Sequence, residues 1–149
     1  MGAIRIIFGW AIAVIVVVIL GSVIQTQFNL AFIASMGPEI SLGQRLATTW
    51  HDLLNFTPAW AMLMASAFAI AWPVAWLVKR ALPGHRPLVF ALAGFSAVWA
   101  TIAIMNRALP VTAIGATRDL SGTLALAAAG LVAGWVYARL VRMDHVGSD

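Results

Sequence analysis

Four long apolar stretches take up most of this chain, and few charges interrupt any of them. They run over about 5–24, 58–78, 87–106 and 121–141 of the 149 residues. A helix needs about 20 apolar residues to cross the hydrocarbon core of a bilayer, so each stretch is long enough. The connections use nearly all the other residues, which leaves no room for a separate soluble domain. The sequence therefore predicts one all-α membrane domain over 1–149, with four transmembrane helices in an up-down bundle.

The composition supports a membrane protein and excludes several other classes. Hydrophobic residues make up 62% of the chain and charged residues 9%, whereas a soluble domain carries about 25% charged residues. The nine Lys and Arg residues are spread singly, which does not fit a nucleic-acid-binding surface. The chain has no cysteine, which excludes disulfides, thiolate catalysis and Cys-ligated metals. The first stretch is longer than the roughly 7–15 apolar residues of a secretory signal, so we expect it to be a retained span.

The distribution of positive charge predicts an orientation. One side of the membrane would carry Arg5, Lys79, Arg80, Arg86, Arg139 and Arg142, and the other Arg45, Arg107 and Arg118. Because Lys and Arg concentrate in cytoplasmic connections, the chain is predicted to lie in a bacterial cytoplasmic (inner) membrane with both termini in the cytoplasm. Aromatic residues would anchor both boundaries: Trp72, Trp76, Trp135 and Tyr137 at the inner one, and Trp50 and Trp60 at the outer one.

The connection between the first two stretches is predicted to form an amphipathic helix over about 41–55. Ser41 and Gln44 have the spacing of a capping box, which marks its start. At 100° per residue, one face is polar and the opposite face is apolar. The polar face would carry Gln44, Arg45, Thr48, His51, Asp52 and Asn55, and the apolar face Leu42, Leu46, Trp50, Leu53 and Leu54. This outward-facing, interfacial helix either lies flat on the leaflet with its polar face in water, or lines a binding site with that face.

Three groups of residues are candidates for contacts with ligands or helices. Arg45, Arg107 and Arg118 would gather around an anionic ligand, a lipid headgroup or an acidic partner. Trp50 and Trp60, with Trp99, would hold an apolar molecule. Gly130 and Gly134 have the spacing that lets helices approach closely, either within the chain or between subunits.

His51 and Asp52 are the remaining candidates, as contacts to a ligand or a headgroup. Adjacent helical residues diverge by 100°, so they do not form an acid–base pair. No second histidine has a spacing that would share a metal with His51, and we predict neither a metal site nor a cofactor.

No charged residue lies near the middle of a span, which excludes proton relays and most ion-coupled carriers. The leading interpretation is a non-enzymatic accessory, assembly or scaffold subunit of a membrane complex. Its partners would be membrane lipids and another membrane protein or a second copy, and not nucleic acid. The alternative is a binding or transport protein for a lipid, a quinone or another apolar small molecule. An enzyme acting on a lipid headgroup through His51 or Asp52 ranks third.

Overall fold

The computed structural model describes residues 2–109 and 114–141, and it is helical throughout apart from short connections. The helices are α1 Gly2–Ser35, α2 Leu42–Asn55, α3 Thr57–Ala81, α4 Arg86–Ala108 and α5 Leu120–Leu140, with a 3₁₀ helix Gly115–Arg118 before α5. Helices α1, α3, α4 and α5 are long and apolar enough to cross a membrane. The prediction of four long apolar helices and one shorter helix after the first is therefore confirmed.

Helix α1 is longer than the apolar stretch from which it was predicted. It has 34 residues, which at 1.5 Å per residue is ~51 Å, against about 30 Å for the hydrocarbon core of a bilayer. No helix-breaking residue follows Ile24 until Gly37, whose φ of 114° lies in the left-handed region that favours glycine. Residues 25–35 therefore continue the helix beyond its apolar stretch. We call them the polar extension of α1, because they begin with Gln25, Thr26 and Gln27.

Helix α2 begins with the predicted capping box. The hydroxyl of Ser41 accepts a hydrogen bond of 3.3 Å from the backbone N–H of Gln44, and the Gln44 side chain accepts one of 2.8 Å from the backbone N–H of Ser41. These two bonds satisfy donors that a helix start leaves without partners. Only Phe56 separates α2 from α3, so the two helices are closely connected.

Each long helix packs against two others: α1 contacts α3 and α5, and α4 contacts α3 and α5. At one end, Arg5 Nε donates a hydrogen bond of 3.0 Å to the carbonyl oxygen of Leu140, and Arg86 donates one to that of Val141. The starts of α1 and α4 and the end of α5 thus meet at what we call the terminal end. At the opposite end of the bundle, which we call the polar end, the backbone N–H of Ala116 donates a 2.9 Å hydrogen bond to Oε1 of Gln25.

The core contains three aromatic residues that the sequence assigned to the membrane boundaries. Trp60, Trp72 and Tyr137 are only 1%, 3% and 0% exposed. The prediction that they anchor the protein at the lipid interface is wrong, because their rings pack inside the bundle. Trp50 and Trp135 are 65% and 45% exposed, so their rings do face outward.

Candidate functional site

The polar side of α2 packs against the polar extension of α1. The hydroxyl of Thr26 donates a 2.7 Å hydrogen bond to Oδ2 of Asp52. The Gln27 amide donates a 3.2 Å bond to the Thr49 hydroxyl and accepts one of 3.2 Å from Arg45. We call these five side chains the polar junction. Arg45 and Asp52, which were candidates for a wet surface, are therefore used in contacts with α1.

The opposite side of α2 faces away from the other helices. Four large apolar side chains on it are 60–73% exposed, and we call them the apolar ridge: Leu42, Leu46, Trp50 and Leu54. His51 is also exposed, and its backbone carbonyl accepts a 2.8 Å hydrogen bond from Asn55. Because Asp52 contacts α1 while His51 contacts its own helix, the structure does not bring this pair together.

A cavity of about 460 Å³, the junction cavity, lies beside the polar junction. Thr48 and Asp52 line it from α2, Asn29 and Phe32 from α1, and Arg118 from the 3₁₀ helix. The guanidinium carbon of Arg118 lies 4.7 Å from the centre of the Phe32 ring, a cation–π distance. This cavity thus combines an acidic and a basic side chain with uncharged polar and apolar lining residues.

The three arginines expected to gather around one anion make separate contacts. Arg45 donates to Gln27 in the polar junction, and Arg118 lies over Phe32. Arg107 is exposed in the last turn of α4. Of the three, only Arg118 lines the junction cavity.

A larger cavity of about 610 Å³, the aromatic cavity, lies towards the terminal end between α1, α3 and α5. Its lining residues are Ile6, Ile7, Trp10, Phe68, Ala69, Trp72, Pro73, Trp76 and Tyr137. The rings of Trp72 and Tyr137 stack with their centres 4.9 Å apart. The indole nitrogens of Trp10 and Trp72 and the hydroxyl of Tyr137 are buried, and none has a hydrogen-bond partner among residues 2–109 and 114–141. Three potential hydrogen-bond donors therefore belong to the side chains of this wall.

The tryptophans proposed from the sequence to hold an apolar molecule do not form this cavity. Trp60 is in the core against Gly21, Trp50 is on the apolar ridge, and Trp99 lines a separate shallow depression with Phe95. The cavity was not predicted from the sequence, although Phe68, Trp72 and Trp76 recur at intervals of four residues and so share one side of α3. That aromatic stripe was the signal available in the sequence.

Gly130 and Gly134 pack against α4 of the same chain. A Cβ atom at Gly130 would overlap the carbonyl oxygen of Gly94 and lie 2.5 Å from Cγ2 of Val98, and one at Gly134 would overlap the carbonyl oxygen of Phe90. The close approach thus joins α4 and α5 backbone to backbone. Gly94, which sequence reasoning did not single out, is the matching residue on α4.

Comparison of the chain with models of protein families, with curated proteins and with solved structures finds no match. Over the part of the chain that the structure describes, no group of three or more His, Cys, Asp or Glu residues is placed to hold a metal ion. The two cavities and the exposed side of α2 are therefore the features of this protein that bear on its function.

Proposed function

We propose that α1, α3, α4 and α5 cross a bacterial cytoplasmic membrane as an up-down bundle, with the terminal end in the cytoplasm and α2 on the opposite side. The support is the positive charge at the terminal end, where Arg5, Lys79, Arg80, Arg86 and Arg139 lie near helix termini. Arg142, which contributes to the same bias, lies outside the described residues.

The function that the geometry supports best is non-catalytic binding of an apolar small molecule from the bilayer. The observation that carries this proposal is the aromatic cavity. Its volume of about 610 Å³ lies within the roughly 300–1,000 Å³ of small-molecule sites, and its lining is mainly apolar and aromatic with a few polar groups. Because α1 and α3 form its walls with their long apolar surfaces, a ligand dissolved in the bilayer would enter sideways between them.

The unpaired groups in this wall define the chemistry of the ligand. An indole N–H can only donate a hydrogen bond, and a tyrosine hydroxyl can donate one. A buried donor without an acceptor costs roughly 1–3 kcal/mol, which a bound acceptor would recover in part. These donor atoms are covered in the ligand-free structure. Once the rings of Trp10, Trp72 and Tyr137 turn towards the cavity, they would favour an apolar molecule that carries oxygen acceptors, such as the carbonyls of a quinone or the ester of a lipid.

The positions of the two candidate acid–base residues favour binding over catalysis. Thr26, the contact of Asp52 on α1, follows Trp10 by about 16 residues, or ~24 Å along α1. His51 and Asp52 therefore lie far from the aromatic cavity, and each has a contact of its own at the polar end. A molecule in the aromatic cavity would meet donors and rings there rather than a nucleophile.

A second candidate function is that of an accessory, assembly or scaffold subunit of a membrane complex. The observation that favours it is the apolar ridge on α2. Since the polar side of α2 already contacts α1, the ridge of Leu42, Leu46, Trp50 and Leu54 needs a cover of lipid or of another membrane protein.

Native mass spectrometry of the protein purified from its own membranes in a mild detergent tests both functions in one spectrum. We expect one apolar small molecule per chain in the wild type. Ala69→Phe, which adds a ring to an exposed lining residue of the aromatic cavity, should lose it, whereas the matched change Ala100→Phe on the exposed side of α4 should keep it. A wild-type protein without a small molecule, or retention in Ala69→Phe, would overturn the binding function. A second polypeptide at fixed stoichiometry would support the accessory role.

A further inference from the structure

The junction cavity contains one acidic and one basic side chain that are not paired with each other. Asp52 accepts its hydrogen bond from Thr26, and Arg118 lies over the ring of Phe32. A carboxylate has about four lone-pair sites on two oxygens, and a guanidinium has five N–H donors, so both keep capacity for a ligand. Asp52 and Arg118 thus share a cavity of about 460 Å³ without pairing with each other. This arrangement suits a ligand that carries both a positive and a negative charge.

Several other lining residues of the junction cavity are apolar and exposed. Phe32, Ile33 and Met36 line the cavity and are 46%, 41% and 63% exposed. Phe32 and Ile33 lie in the last turn of α1 and Met36 follows that helix, at the end of the bundle that we place at the outer leaflet. Apolar walls that lead away from a charged cavity suit an acyl chain attached to a polar head.

We propose that the junction cavity binds a phospholipid whose head carries a primary ammonium and a phosphate, as phosphatidylethanolamine does. The ammonium would donate to the carboxylate of Asp52, and the phosphate would accept from the guanidinium of Arg118. A choline head has no N–H to donate, and a glycerol head has no cation, so neither satisfies both side chains. The proposal depends on the membrane placement of the bundle and is independent of any ligand in the aromatic cavity.

Lipid retention measured by native mass spectrometry tests the proposal. Purified protein receives equal amounts of phosphatidylethanolamine, phosphatidylcholine and phosphatidylglycerol with identical acyl chains. We expect the wild type to retain the first about tenfold more than either of the others, the size expected for one charge-assisted hydrogen bond. Asp52→Asn should remove this preference, whereas Asp52→Glu, which keeps the carboxylate, should retain it. Arg118→Gln should lower retention of all three lipids.

Two control variants each remove a charge that lies outside the junction cavity. Arg107→Gln removes a positive charge that does not line the cavity, so it should retain lipid as the wild type does. Glu39→Gln removes an exposed carboxylate that does not line the cavity, so it should keep the preference. Equal retention of the three lipids by the wild type, or loss of the preference in Glu39→Gln, would overturn the proposal. Full competition by free phosphoethanolamine would also overturn the assignment to a lipid.

Discussion

Thr26 on α1 and Asp52 on α2 are joined by a hydrogen bond of 2.7 Å between the hydroxyl and a carboxylate oxygen. Thr26 is fully buried, and its hydroxyl also lies 2.9 Å from the carbonyl oxygen of Ser22, one turn earlier in α1. This pair determines which side of α2 faces the bundle. With Asp52 turned towards α1, the apolar ridge on the other side of α2 must face outward.

Thr26→Val should loosen α2 while leaving the four long helices in place. Valine keeps the size of the side chain but loses the donor to Asp52, and a hydrogen bond to a charged group contributes roughly 1.5–3 kcal/mol. We expect the backbone amides of α2 to exchange at least about tenfold faster in nanodiscs, measured by hydrogen–deuterium exchange. The control is Thr101→Val, because among the described residues the Thr101 side chain bonds only to Ala97 of its own helix. Unchanged exchange in α2 would show that Thr26 does not hold it.

Gly130→Ala should destabilise the packing of α5 on α4. The added methyl group would overlap the backbone oxygen of Gly94, which cannot move without shifting a helix. Overpacking of this kind costs about 1–3 kcal/mol, occasionally more. Thermal unfolding in detergent should show a lower midpoint. Gly43→Ala is the matched control. The added Cβ would lie 3.9 Å from the hydroxyl oxygen of Ser41, which is an ordinary contact distance, so the change should raise the free energy of unfolding by about 0.4–1 kcal/mol. Equal midpoints for the two variants would contradict the close approach of α4 and α5.

The elements of this fold could be predicted because their signals are local. Apolar stretches long enough to span a bilayer, and the spacing of Ser41 and Gln44, depend only on neighbouring residues. The side-chain contacts between different helices could not be predicted from such local signals. Thr26 and Asp52 are 26 residues apart in the chain, and nothing in the sequence of α2 alone shows that Asp52 turns inward while His51 remains exposed.

The aromatic cavity was missed for a different physical reason. In a membrane protein, side chains that face lipid and side chains that face another helix are both apolar, so hydropathy does not distinguish them. Trp72 and Tyr137 have the amphipathic rings of boundary anchors, and their distance from the ends of the spans fits that role. Only the packing of α1, α3 and α5 shows that they lie inside the bundle, and that Trp10 joins them.

Tyr137→Phe should leave the ligand-free protein as stable as the wild type or more stable. The Tyr137 hydroxyl is buried without a partner among the described residues, so its removal relieves a desolvation cost of roughly 1–3 kcal/mol. A bound molecule with an acceptor oxygen should reverse the order, because only the wild type donates to it. Thermal unfolding with and without a decyl-benzoquinone measures both states. A large loss of stability without the quinone would show that the hydroxyl has a structural partner.

The proposed orientation predicts opposite labelling of two exposed connections. The natural chain has no cysteine, so single cysteines introduced as Glu39→Cys and His85→Cys are the only thiols. Glu39 lies between α1 and α2, and His85 lies in the turn before α4 at the terminal end. A membrane-impermeant maleimide should label Glu39→Cys in intact spheroplasts and His85→Cys only after permeabilisation. The reverse pattern would invert the bundle, and labelling of both sites in intact spheroplasts would contradict the span between them.

The apolar ridge predicts that α2 lies in the lipid interface rather than in water. Spin labels at Leu46→Cys, on the ridge, and at His51→Cys, five residues later and about 140° around the helix, report on its two sides. In nanodiscs, the label at 46 should collide more with oxygen, which dissolves in lipid, and the label at 51 more with a water-soluble nickel complex. Preference for nickel at both sites would place the ridge in water and contradict the proposed position of α2. Protection of position 46 from both reagents would mean that protein covers the ridge, which is the outcome that the accessory-subunit role requires.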